Sequence, residues 1–270
     1  MRTPGFNLEC KVNDSILCYD DAGEGSIPLI FIHGFPFDKS MWKSQIEFAS
    51  AFTRVVAYDI RGFGKSQNGA EEFSINLFAD DLIQLMDLLE IPKAIICGLS
   101  MGGYIALNAM YRYKERFAAM ILADTQCIAD TSEGKEKRYR TIELIESKGL
   151  GVFAESFVKN IFCDETLQHK KEIVEGIQNV ILSTAPSTVT ATLKALAARW
   201  ETCSALSEIS VPVLIVCGIE DKVTPYEQSE KLHAAIKSST IKSIQNAGHM
   251  SNLEQSEKFN GYLRDFLRCE

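Results

Sequence analysis

The sequence predicts an α/β fold: a mostly parallel, eight-stranded sheet flanked by helices, with a helical cap inserted between two of its strands. Three observations predict it. Runs of strand length recur at residues 28–32, 54–58, 94–97, 118–123, 211–217 and 240–244, largely without polar alternation, as suits parallel strands buried on both faces. Segments of helical periodicity fill the gaps between them, which implies crossover units. One long stretch, from about Cys127 to Arg199, has helical pattern and no strand-like run.

Taken in order, the chain opens with two shorter β-like segments, 6–12 and 16–19, joined by a turn at Asn13-Asp14. Phe78, Leu82, Leu85, Met86 and Leu89 then share one helix face. The segment 101–111 is apolar nearly all round, so its helix is expected inside. In the long insertion, breaks fall at Gly149-Leu150-Gly151 and at Pro186. Its amphipathic pieces (Phe153, Phe157, Val158, Ile161 and Phe162; Val189, Leu193, Leu196 and Trp200) need a surface to cover. The carboxyl edge of the sheet is the natural surface, because ligands bind there in open α/β sheets. Phe259, Tyr262, Leu263, Phe266 and Leu267 mark a C-terminal helix. The expected domains are a core of residues 1–126 and 204–270 and a cap of residues 127–203.

Composition narrows the function. The chain has 270 residues, 46% hydrophobic and 24% charged, with a net charge of −8. That balance disfavours nucleic acid or an anionic membrane as partner, since both are bound through clustered Lys and Arg. The one dense basic run, Lys135-Glu136-Lys137-Arg138, reads as a solvated helix face. The eight cysteines contain no C-x-x-C pair, so neither a zinc site nor a disulfide framework is expected. Cys97 and Cys217 fall in strand runs as small hydrophobes. No signal-peptide or membrane-spanning stretch is visible, which makes the cytoplasm the expected compartment. No cofactor is expected: Gly64-Lys65-Ser66 hints at a phosphate loop, but Asp59 stands where its first glycine belongs.

The residues that carry chemistry lie at strand ends. Gly98-Leu99-Ser100-Met101-Gly102 is a G-x-S-x-G segment running from a strand directly into a helix, the setting in which a serine hydroxyl stands exposed on a strained turn. A serine hydroxyl needs a base. Of the four histidines, His169 and His233 read as surface residues and His33 as a structural hydrogen-bonder. His249, in the loop between the last strand and the last helix, is the candidate base. Asp221, after the strand at 211–217, is the candidate acid that orients it. Glu220 is a competitor for that role and Asp124, directly after another core strand, a more serious one. Oxyanion donors are expected at the Met101 N–H and the Phe35 N–H, since Pro36 has none to give. Phe37, Trp42, Asp124, Trp200 and Met250 are candidates for the substrate pocket, which is expected to be apolar.

The series Phe31-Ile-His-Gly34, Asp59-Ile-Arg-Gly-Phe-Gly64, Gly98-Leu-Ser-Met-Gly-Gly103, Gly218-Ile-Glu-Asp221 and Ala247-Gly-His249 resembles the α/β-hydrolase superfamily along nearly the whole chain. The single His-Gly before Phe35 is similar to the small esterase, lactonase and cofactor-free perhydrolase branches, and unlike the His-Gly-Gly-Gly lipase type. The stretch from Ala123-Asp-Thr-Gln126 to Asp130-Thr-Ser-Glu-Gly134 resembles bacterial hydrolases near the 3-oxoadipate enol-lactonases. With serine as nucleophile, the resemblance implies neither a haloalkane dehalogenase nor an epoxide hydrolase.

The leading expectation is a serine hydrolase that cleaves a small carboxylic ester or lactone through an acyl-enzyme. A perhydrolase, a thioesterase or a C–C bond hydrolase would use the same three residues. A ligand-sensing signalling protein on the same fold is the alternative from a different class. The expected partner is a small molecule.

Overall fold

A computed structural model describes residues 4–268. Among these, eight strands form one sheet in the order β1-β2-β4-β3-β5-β6-β7-β8. The strands are β1 (Gly5–Val12), β2 (Ser15–Ala22), β3 (Leu29–Ile32), β4 (Val55–Tyr58), β5 (Ala94–Leu99), β6 (Phe117–Ala123), β7 (Val213–Gly218) and β8 (Ser239–Ile244). The β1–β2 and β2–β4 pairings are antiparallel. From β4 to β8 every pairing is parallel. The strands β3, β4, β5 and β7 are buried along their whole length, the reason their sequences show no alternation. The outer strand β8 alternates, as one exposed face requires.

Helices α1 (Lys43–Ala49), α2 (Ile75–Leu88) and α3 (Met101–Arg112) follow β3, β4 and β5. Of the twelve residues of α3, the first ten are buried, in line with the absence of a polar face. Five helices fill the insertion: α4 (Ser132–Lys148), α5 (Leu150–Ile161), α6 (Asp164–His169), α7 (Lys171–Ser183) and α8 (Pro186–Ala198). Thr131 caps α4 by accepting from the Gly134 N–H. Pro186 opens α8 at its first position, where a missing N–H costs nothing. The breaks differ from expectation in two ways. Gly151 lies inside α5, and additional breaks fall at Phe162-Cys163 and at Lys170. The chain closes with α9 (Tyr226–Ala235), α10 (Ser251–Glu254) and α11 (Ser256–Leu267). No single helix among the described residues is long and apolar enough to cross a membrane.

One covalent link corrects the reading of the cysteines. Cys127 and Cys203 form a disulfide across 76 residues. It joins the two strands of chain that enter and leave the helical insertion. The Thr202 N–H also donates to the Cys127 carbonyl at 2.8 Å, so covalent and hydrogen bonds close the same neck. Nothing in the spacing of these cysteines signals the bond, because the proximity of the two stems arises only when β6 and β7 pair.

Candidate active site

The turn after β5 is built by close backbone approach. A Cβ at Gly98 would stand 2.2 Å from the Gly102 carbonyl oxygen, and one at Gly102 would stand 2.3 Å from that of Ile32. Only glycine allows strand and helix to cross this tightly. Ser100, between them, is held at φ 54°, ψ −113°, a sparsely populated conformation for a residue with a side chain. Two bonds hold it there: its N–H donates to the Ala123 carbonyl at 3.0 Å, and the Thr125 hydroxyl donates to its carbonyl at 2.8 Å.

Asp221 and His249 come from the ends of β7 and β8. The two loops are tied by the Glu220 N–H, which donates to the Ala247 carbonyl at 2.9 Å. His249 Nδ1 lies 2.7 Å from Asp221 Oδ2, with both side chains buried. The other carboxylate oxygen of Asp221 accepts from the Val223 and Thr224 N–H groups at 2.7 and 3.0 Å. The Thr224 hydroxyl donates to Oδ2 at 2.7 Å. Burial alone would raise the Asp221 pKa, but the imidazole and these donors outweigh it and hold the carboxyl below the usual carboxylate value. Burial alone would lower the His249 pKa; the neighbouring Asp221 carboxylate outweighs it, and the imidazole sits above the ordinary histidine value.

Asp124, the competitor, bonds elsewhere. Its Oδ1 accepts from the Gly218 N–H at 2.8 Å, and its Oδ2 accepts from the Ser251 hydroxyl at 2.5 Å. It therefore ties the end of β6 to β7 and to the start of α10. Burial, and then repulsion from Asp221, push its carboxyl well above the usual range. His33 is fully buried, accepts from the Ile60 N–H at Nε2 (2.9 Å) and so donates from Nδ1 to the Gly34 carbonyl (2.8 Å). It supports the loop that carries Phe35 and the cis-linked Pro36.

Ser100, Met101, Phe35 and His249 all line one cavity of about 560 Å³, within the size range of small-molecule sites. The insertion supplies much of its wall, through α4, α5 and α8. Phe153 and Phe157 on α5 meet the Phe35 ring at 6.3 and 6.2 Å. A hydroxyl on a strained turn, opening into the same cavity as an imidazole already bonded to a carboxylate, can carry out nucleophilic acyl transfer. Among the described residues, no group of three or more His, Cys, Asp or Glu side chains is placed to hold a metal ion.

The five expected pocket residues lie outside that cavity's wall. Trp42 is fully buried in the core, stacked on Phe31 at 4.7 Å and packed on Phe259. Phe37 is fully buried against Phe157, and Met250 is buried where it caps the start of α10. Asp124 is occupied as described. Trp200, 41% exposed, lies beyond α8 and donates from Nε1 to Asn76. The wall is also less apolar than expected: it carries Lys137, Arg138, Lys159 and Lys222 against Asp130. Lys137 and Arg138 thus turn part of the basic run toward the cavity. Sequence reasoning missed all five, because which face of α4 and α5 turns inward, and where the loops carrying Asp130 and Lys222 come to lie, are set by tertiary packing.

Comparison with known proteins identifies the family. Residues 27–256 match the family model of the alpha/beta hydrolase fold. The chain belongs to the α/β-hydrolase family. It is a hydrolase of that family. It is 31% identical over 256 residues to 3-oxoadipate enol-lactonase 2 of Acinetobacter baylyi, an alignment covering 94% of each chain. A thermophilic esterase from Thermogutta terrifontis superposes with a TM-score of 0.93 at 34% identity, covering 97% of this hydrolase and 98% of the esterase. An enol-lactonase from Burkholderia xenovorans gives a TM-score of 0.90 at 26% identity, covering 97% and 100%.

Proposed function

We propose that this hydrolase cleaves small carboxylic esters or lactones through an acyl-enzyme on Ser100. The observation that carries this reading is the Asp221–His249 pair, bonded at 2.7 Å, opening into the same cavity as the strained Ser100. Ser100 attacks the acyl carbon while His249 takes its proton and passes it to the leaving alkoxide. Asp221 keeps the imidazole in the tautomer with its proton on Nδ1 and stabilises the imidazolium. The first N–H of α3, on Met101, has no partner within the helix, and the Phe35 N–H completes the oxyanion site. Water then attacks the acyl carbon as His249 accepts its proton, and the acyl–oxygen bond to Ser100 breaks as His249 returns that proton to the serine oxygen. In a lactone the leaving oxygen stays tethered to the acyl group, and the same two steps open the ring. The esterase and enol-lactonases among the relatives support the substrate class.

Hydrolysis of a chain-length series of p-nitrophenyl esters by the wild type and by Ser100→Ala tests the reading. The variant is expected to lose on the order of 10⁴-fold or more in kcat. Equal activity in both proteins would remove Ser100 as nucleophile. Negligible ester hydrolysis in both would favour the C–C hydrolase or sensor readings.

A further inference from the structure

Three consecutive backbone N–H groups, those of Gly248, His249 and Met250, present the proposed base to the cavity. Two of them end on one buried carboxylate: Glu254 Oε1 accepts from Gly248 at 2.7 Å and from Met250 at 3.3 Å. The third ends on the insertion, since the His249 N–H donates to the Ile161 carbonyl at the end of α5 at 2.7 Å. The second oxygen of Glu254 reaches the insertion as well, accepting from the Cys163 N–H at 2.8 Å. Lys170, also in the insertion, donates to the Glu254 carbonyl. Contact is close throughout: a Cβ at Gly248 would stand 2.9 Å from both the Cys163 nitrogen and the Ile161 oxygen. Glu254 is 1% exposed and does not line the cavity.

We infer that Glu254 is a positioning residue that locks the His249 loop to the cap, so that the placement of the base depends on the seating of the segment 161–163. The inference rests on the proposed role of His249. A carboxylate is suited to this place because it accepts at both oxygens, and its charge strengthens each bond. An amide at the same position keeps one acceptor and turns a donor toward an N–H. The imidazole then loses its fixed position relative to Ser100, and misplacement by about 1 Å costs roughly 10²-fold in rate.

The test is steady-state kinetics on a p-nitrophenyl ester with Glu254→Gln, Cys163→Pro, the double variant and Ser100→Ala. Proline removes the N–H that Glu254 holds and sets its ring carbon against that carboxylate. The backbone suits it, because Cys163 sits at φ −72° and Phe162 before it is extended at φ −102°, ψ 149°. Cys163→Ala, which loses only the thiol bonded to Thr166 at 3.5 Å, is the control, and the Cys163→Pro loss is read relative to it. Each single variant is expected to lose about 10- to 100-fold in kcat with KM changed by less than about threefold. The double variant is expected to be no worse than the poorer single, since both break one bond. Glu254→Gln is also expected to move the acid limb of the pH profile downward. Of the carboxylates acting on His249, Asp221 and Asp124 remain when Glu254 loses its charge, and Lys222, on the same cavity, opposes them. That shift reports the lost charge, whereas the fall in kcat at nearly unchanged KM reports the lost position of the base. Folded single variants with kcat within about twofold of wild type, or losses that multiply in the double variant, would overturn the inference. Should Glu254→Gln fail to fold, Cys163→Pro decides alone. Activity retained in Ser100→Ala would instead refute the proposed nucleophile, an outcome distinct from both.

Discussion

At the residue scale, the chemistry turns on how two buried carboxylates divide their work. Asp221 faces the imidazole, whereas Asp124, at a comparable strand end, is spent on the Gly218 N–H and on Ser251. Sequence order left the two as competitors, because each follows a core strand; hydrogen bonding separates them. The proposed base, His249, works when neutral, so its raised pKa is expected to set the acid limb of kcat/KM. That limb is expected to have its midpoint above the ordinary histidine value of about 6.5. Asp221→Asn removes the group that most raises the imidazole pKa. Its acid limb is expected to move to lower pH, while kcat falls on the order of 10⁴-fold through the wrong tautomer. A pH-rate profile of both proteins checks this. An unmoved limb and an intact kcat would reassign the acid.

At the scale of elements, the strand–turn–helix at Ser100 was legible because three local constraints coincide there: a buried strand, two glycines at a backbone crossing and an apolar helix. The His249 loop was legible for a related reason, being short and fixed to a strand end. The cap was legible as helices, and its breaks less so, since Phe162-Cys163 and Lys170 carry no glycine or proline to announce them. The disulfide was not legible at all. Cys127 and Cys203 lie 76 residues apart, and only the β6–β7 pairing brings the stems of the insertion together. Closing so long a loop restricts the unfolded chain. Cys203→Ser is accordingly expected to lower stability by about 2–4 kcal/mol and the melting temperature by roughly 5–15 °C. Calorimetry with and without a reductant checks it: the wild type should fall toward the variant on reduction, and the variant should not respond. Identical melting of all four samples would mean the bond contributes nothing.

At the scale of the whole molecule, the charge is unevenly placed. The chain carries a net −8, yet the cavity wall sets four basic side chains against one carboxylate. Part of that charge is already answered: Arg138 and Arg199 share Asp130, Lys159 pairs with Glu155, and Lys222 lies 3.5 Å from Asp164. The fourth basic side chain of the wall, Lys137, is the one that offers an incoming anion a partner. Within the ester series, an acyl chain ending in a carboxylate is expected to give a higher kcat/KM than its neutral methyl ester at low salt. That advantage should shrink at about 1 M salt, where the screening length is about 3 Å. A preference for the neutral ester at every salt concentration would contradict it. The cavity keeps an apolar part in Phe35, Phe153, Phe157, Leu193 and Leu196, but the expected lining residues lie elsewhere for a physical reason. Phe37, Trp42 and Met250 lie near the site in sequence, but an aromatic or long apolar side chain beside a sheet is drawn first into the core.

The central claim is the covalent acyl-Ser100 intermediate, and peptide-mapping mass spectrometry tests it most directly. The hydrolase would be quenched in acid within its first turnovers on a p-nitrophenyl ester, digested and mapped. The account predicts one added acyl group on the peptide that carries Ser100, absent in Ser100→Ala and accumulating in His249→Ala only if the base serves deacylation more than acylation. An acyl group on another residue, or turnover with no adduct at any quench time together with full activity in Ser100→Ala, would contradict it.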